Sequence, residues 1–203
     1  MPDAEQTQTR IDAILDYWLG NRRFDEARLR FWFGGSETID AYIRSHFKAD
    51  LWRAVRGELE HWKTTPQGWL ALIILLDQFS RNIYRGTAKA FAQDAQALAL
   101  SLEGINQGID RRLQPIERVF FYMPMQHAED REIQARSVQA FAELLRDVPA
   151  GERGLFEGFL DYAIRHRQVI ERFGRFPDLN VILGRQSTSE EIEFLKQPGS
   201  SFL

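Results

Sequence analysis

The chain has 203 residues, of which 44% are hydrophobic and none is cysteine, and its 26 basic against 29 acidic residues give a net charge of −3. That composition fits a globular protein with a sizeable core, and it excludes disulfides, thiolate metal sites and cysteine nucleophiles. No block of like charge stands out, so neither nucleic acid nor an anionic membrane surface is an expected partner.

The opening stretch, residues 1–9, is polar and acidic, without the basic start and apolar centre of a secretory signal. The longest apolar run, Trp69–Leu76, is far short of the roughly 20 residues that cross a bilayer. A cytoplasmic location and no membrane partner are the expectations. In chain order, Thr9 and Asp12 resemble a capping box, followed by an apolar face of Ile11, Ile14, Leu15, Trp18 and Leu19 that Gly20 closes. A short helix follows over 27–33, ending at Gly34-Gly35, and Ser36 is placed to cap the next. There Ile39, Ile43, Phe47, Leu51, Val55, Leu59 and Trp62 recur every three or four residues, which predicts one long amphipathic helix or two in tandem.

Thr65-Pro66 predicts a helix start, with threonine as cap and proline at the first helical position, and that helix runs to Gly86. An alanine-rich helix is predicted over 94–107, and another starts at Pro115 and must kink or end at Pro124. Residues 128–148 form a further helix, with Ile133, Val138, Phe141, Leu144 and Leu145 inward. After a turn at Gly151 and Gly154, residues 155–173 are helical up to Gly174. A loop over 176–185 precedes a short helix starting at 187–189, with Glu190 and Glu191 in its first turn. No alternating strand pattern appears. The expected fold is all-α, one domain over 1–203 with residues 1–8 and 198–203 frayed, and its short connections imply antiparallel helical hairpins. The five tryptophans (18, 32, 52, 62 and 69) sit mainly at apolar positions and read as core.

Three stretches combine apolar and ionic residues: Leu75–Thr87, LLDQFSRNIYRGT; Phe121–Asp130, FYMPMQHAED; and His166–Pro177, HRQVIERFGRFP, with Asn180 and Ile182–Arg185 beyond. In these motifs the chain resembles the bacterial family catalogued as domain of unknown function 924, a likeness running from about Ile11 to Leu195. The resemblance implies an all-helical, tetratricopeptide-repeat-like fold, with hairpins stacked in a right-handed array. It implies no catalytic residue, because the family has no established activity. Ser80 stands where the family usually has proline.

The candidate site residues come from the same stretches. Asp77 and Arg81 are four apart, as are Gln78 and Asn82, and Arg81 and Arg85. An Asp–Arg pair at this spacing contributes only about 0.2–0.5 kcal/mol on an exposed helix, while burying it costs several. A buried set therefore needs further partners, either a second helix or a bound anion. His127 beside Glu129 and Asp130 suits a proton-transfer group, or the two carboxylates simply favour a helix start. His166, Arg172, Arg175 and Asn180 form the third set, where arginine suits two-pronged recognition of carboxylate or phosphate, or stabilises a helix end.

The four histidines, at 46, 61, 127 and 166, are not spaced for a helical zinc site, and no phosphate loop or dinucleotide glycine pattern is present. No metal and no cofactor are expected. Two functions remain: a binding module for a peptide or small anionic ligand, gripped by Arg81, Arg85, Arg172 and Arg175, or a cofactor-independent enzyme using His127 or His166 as general acid or base. These patterns leave the oligomeric state open.

Overall fold

The computed structural model describes residues 4–20 and 25–202, and its secondary structure there is helical, with no strand among the described residues. The chain divides into two compact units, one formed by residues 1–85 and 89–124, the other by 86–88 and 125–203. Residues 1–3 and Leu203, part of the predicted frayed ends, lie outside the described residues.

The first unit begins with α1 (Ala4–Leu19). It starts before the predicted capping box, and the Thr9 hydroxyl, inside the helix, donates to the carbonyl of Glu5 (2.8 Å). Gly20, with φ near 60°, closes it as predicted. α2 (Glu26–Phe33) is capped by Asp25, whose carboxylate accepts from the Arg28 amide. α3 (Glu37–Val55) ends before Gly57, and a 3₁₀ turn at Glu60–Thr64 carries Trp62 inward, so the long apolar series belongs to two elements.

At Thr65-Pro66 the start signal behaves as predicted: the Thr65 hydroxyl accepts from the Gly68 amide, and Pro66 opens α4 (Pro66–Ile73). The helix then widens into a π turn, Ile74–Phe79, and narrows again in α5 (Ser80–Ile83). α6 (Asp94–Asn106) and α7 (Pro115–Gln126) complete the unit. A Cβ on Gly104 of α6 would lie 2.5 Å from Phe121 Cζ and 3.2 Å from Trp69 Cε3, so glycine there permits the close approach.

α1 packs on α4, α3 on the π turn and α5, and α4 on α6. Aromatic rings fill the centre: Trp18 stands edge-on to Phe79 (5.5 Å) and Phe120 (5.7 Å), and Trp32 to Phe120 (4.8 Å). Burying each such side chain stabilises by about 1.5–3 kcal/mol as an upper estimate. Four tryptophans are buried as expected, but Trp52 is 41% exposed.

Pro124 does not stop α7, which continues to Gln126. Proline removes one amide near a helix end, where carbonyls need outside donors anyway. Ser101 supplies a hydroxyl to the Phe121 carbonyl (2.6 Å). In the second unit, Gln134 Nε2 serves the carbonyls of Gln126 (2.6 Å) and Ala128 (2.9 Å).

The second unit pairs α8 (Arg131–Asp147) with α9 (Arg153–Phe173) as a helical hairpin. On α8, Phe141 and Leu144 are buried as predicted, together with the polar Gln134 and Ser137, while Ile133, Val138 and Leu145 are half-buried. Gly174, with φ of 70°, ends α9 in the left-handed conformation. A 3₁₀ turn at Pro177–Leu179 leads to α10 (Ser189–Leu195), started by a complete capping box between Thr188 and Glu191. Val169, Ile170 and Phe176 form a small core flanked by Phe173, Leu179, Phe194 and Phe202.

Candidate functional site

The twelve candidate residues fall into the two units. Asp77, Gln78, Arg81, Asn82 and Arg85 belong to the first; His127, Glu129, Asp130, His166, Arg172, Arg175 and Asn180 belong to the second.

In the first unit the π turn and α5 carry the ionic groups. Asp77 is fully buried, and Gln78 Nε2 donates to its Oδ2 (2.6 Å). Arg81 Nη1 lies 3.3 Å from Asp77 Oδ1, and the same guanidinium forks onto both oxygens of Asp94 (2.8 and 3.0 Å). Burial pulls the Arg81 pKa down, but the charges of Asp77 and Asp94 outweigh it and leave a net rise. The four-residue spacing thus makes contact, and the partner that completes it comes from α6.

Arg85 pairs with Asp40 of α3, donating from Nε to Oδ2 (2.5 Å) and from Nη2 to Oδ1 (2.9 Å), while Asn82 Nδ2 also donates to Oδ1 (2.8 Å). Asp40 is 1% exposed, whereas the Arg85 side chain is 48% exposed. Burial pushes the Asp40 carboxyl up, but hydrogen bonds from Arg85 and Asn82, with the charges of Arg85 and Arg44, bring it below the usual carboxylate value. The pair uses one edge of the guanidinium and leaves Nη1 for another acceptor. Beside it, Arg44 Nε approaches the Ile83 carbonyl (3.4 Å), the Lys48 ammonium lies 6.0 Å from the centre of the Tyr84 ring, and Trp52 stands edge-on to Tyr84 (6.4 Å). Arg44 and Lys48 are exposed, as is Trp52.

The second unit brings the two later motifs together at Glu129. Its carboxylate receives Arg185 from both sides (2.6 and 2.9 Å) and the Phe176 amide (2.7 Å). Arg185 Nε also donates to Asn180 Oδ1 (2.9 Å). Asn180, fully buried, reaches Glu191 (3.3 Å), whose carboxylate is held by Arg175 (2.6 and 2.8 Å) and accepts the Thr188 amide (2.7 Å). Arg175 holds the Glu191 carboxyl down at about 2, against the penalty of burial and with help from the Thr188 amide. Arg172 pairs with Glu190 (2.9 Å) on the surface. Asp130 caps α8, accepting from the Ile133 amide (2.9 Å).

His166 is buried, with Nδ1 2.8 Å from the Tyr162 carbonyl; the ring stacks on Phe202 (3.8 Å) and lies 6.5 Å from that of half-buried His127. Among the described residues no group of three or more histidine or carboxylate side chains is arranged to hold a metal.

Sequence reasoning missed the carboxylates that answer the arginines. Asp40 lies 45 residues before Arg85, and Glu191 was legible only as a first-turn residue of α10. It also missed a buried set in the first unit, where Tyr122 donates to Asp110 (2.5 Å) and accepts from Arg118 Nε (3.1 Å). Arg118 and Tyr122, four apart inside the apolar run of α7, were the available signal.

A bacterial protein family of unknown function (DUF924) matches residues 14–199. A solved structure, that of a protein of unknown function, ATU0120, from Agrobacterium tumefaciens, is similar at 35% identity and a TM-score of 0.78, with 94% of this chain and 98% of that chain covered. Among curated proteins, none matches the chain. The match covers most of the sequence and the architecture is all-helical among the described residues, and the chain belongs to the bacterial DUF924 family of proteins of unknown function.

Proposed function

We propose that the protein is a binding module, and that its first unit takes an acidic peptide segment on the surface around Arg85. One observation carries this reading: a fully buried carboxylate, Asp40, holds a half-exposed guanidinium in a fixed orientation with Nη1 left for an incoming acceptor. A pre-positioned arginine loses less freedom on binding than a mobile one, and its fork suits a carboxylate. Exposed Lys48 and Trp52, both against Tyr84, add positive charge and aromatic area, while Arg44 pairs with Glu37 (3.6 Å). Arginine and tryptophan are the residue types that dominate binding energy at interfaces.

A general acid–base enzyme receives less support. The carboxylate nearest His127 in sequence, Glu129, is engaged by Arg185 and the Phe176 amide, and Nδ1 of His166 faces a backbone carbonyl.

Titration with a short peptide rich in glutamate and containing one aromatic residue tests the proposal, read by tryptophan fluorescence. Lys48→Glu reverses an exposed charge at the surface and leaves the Asp40–Arg85 pair intact. The expected result is saturable binding to the wild type, weakened by at least about tenfold (~1.4 kcal/mol) in the variant. Equal affinities for the two proteins, or no binding to the wild type, would remove the proposal.

A further inference from the structure

The chain's own last described residues pack against the second unit. Gly199, with φ of 74°, turns the chain back, and its carbonyl accepts from Arg165 Nη2 (2.7 Å). That φ is one that L side chains rarely adopt, so glycine suits the turn. Asp178 Oδ2 then accepts both the Ser201 hydroxyl (3.2 Å) and the Phe202 amide (2.8 Å). The Phe202 ring lies flat on His166 at 3.8 Å, with Tyr162 (5.5 Å) and Phe176 (5.8 Å) edge-on to it. Where the sequence predicts fraying, the segment is read through a carbonyl, an amide, a hydroxyl and an aromatic ring, which are the elements of peptide recognition.

The fit is incomplete in one respect. Asp178 Oδ1 is buried and has no hydrogen-bond partner, although the tail engages the other oxygen of the same carboxylate. A buried carboxylate oxygen without a donor costs free energy. A ligand that brings one more donor to Asp178 gains over the tail.

We propose that the slot formed by Tyr162, Arg165, His166, Phe176 and Asp178 is a recognition site for a peptide segment with a small hydroxyl residue followed by an aromatic one, and that residues 199–202 occupy it in cis. The tail competes at the millimolar effective concentration of a short tether, so only a segment with more contacts, or one present at similar concentration, displaces it.

The test uses the full chain with Phe202→Ala and follows the ring C–H resonances of His166 by NMR. In the wild type the stacked Phe202 ring displaces these resonances, and Phe202→Ala abolishes that displacement. Adding the peptide acetyl-Gly-Ser-Ser-Phe-amide at about 1–5 mM returns them toward the wild-type position in the variant and leaves the wild type unmoved. Adding Asp178→Ala to the variant abolishes the return.

Three results would overturn the proposal: a folded variant whose His166 resonances do not return, a return that persists without Asp178, or an equal response in the wild type. An unfolded Phe202→Ala chain would overturn it as well, because Phe202 would then be a member of the core and not a replaceable occupant.

Discussion

Asp40→Asn is the most informative single substitution in the first unit. The side chain is 1% exposed and accepts three hydrogen bonds, two from Arg85 and one from Asn82. An amide of the same shape keeps one acceptor oxygen, which Asn82 can still use, and presents a donor where Arg85 also donates. Bonds to charged groups contribute about 1.5–3 kcal/mol each when buried, and Arg85, half in water, recovers part of its loss by hydration. The balance is a destabilisation of about 2–3 kcal/mol.

All five tryptophans (18, 32, 52, 62 and 69) lie in the first unit, so tryptophan fluorescence in urea reports its unfolding selectively. With a slope of about 2 kcal/mol per molar, the midpoint falls by about 1–1.5 M at neutral pH. The Asp40 pKa is lowered in the folded state, so its contribution is complete above the ordinary value of 3.8 and fades as pH falls through the lowered one. The gap between wild type and variant therefore narrows below pH 3.8. A midpoint shift under about 0.3 M at neutral pH, or a gap that stays constant into acid, would refute the reasoning.

Glu191→Gln gives the second unit a different acid response. The native carboxyl titrates at about 2 against an ordinary 4.5, so it stabilises above pH 4.5 and the benefit drains away toward pH 2. Hydrogen exchange of α9 and α10 should show the wild type loosening across that interval, and the variant already looser at neutral pH with less further change; parallel pH profiles would contradict this. Gly104→Ala sets a methyl against the Phe121 ring, and despite alanine's better helix propensity it should destabilise by about 1–3 kcal/mol in the same urea assay. A neutral or stabilising result would mean that the two rings yield without cost.

Local signals were the legible part of this fold. Thr65-Pro66 and Gly174 act through geometry confined to a few residues, and each produced the predicted helix end. Thr9 failed as a start signal because one hydroxyl can cap a helix or bond back within it, and only the residues before it decide. Pro124, read as a kink or an end, is followed by only two more helical residues, and the Ser101 hydroxyl, twenty residues from the Phe121 carbonyl, helps to satisfy that last turn.

The motif charges were visible as i, i+4 spacings, but their resolution lies in tertiary contacts. Asp94 completes Arg81, Asp40 completes Arg85, Glu191 completes Arg175 and Glu129 receives Arg185. A sequence read along one helix sees an excess of arginine and infers an anion pocket. The folded chain brings a carboxylate to each of these guanidinium groups from another element.

That neutralisation is what the account turns on, and arginine side-chain NMR measures it directly. Arg175 and Arg185 each donate Nε–H to an oxygen acceptor within the second unit. Their Nε–H signals should be dispersed, slow to exchange with water and unmoved by inorganic phosphate. Signals collapsed at the position of free arginine, or shifting on addition of phosphate, would contradict the account and return these residues to an open anion site.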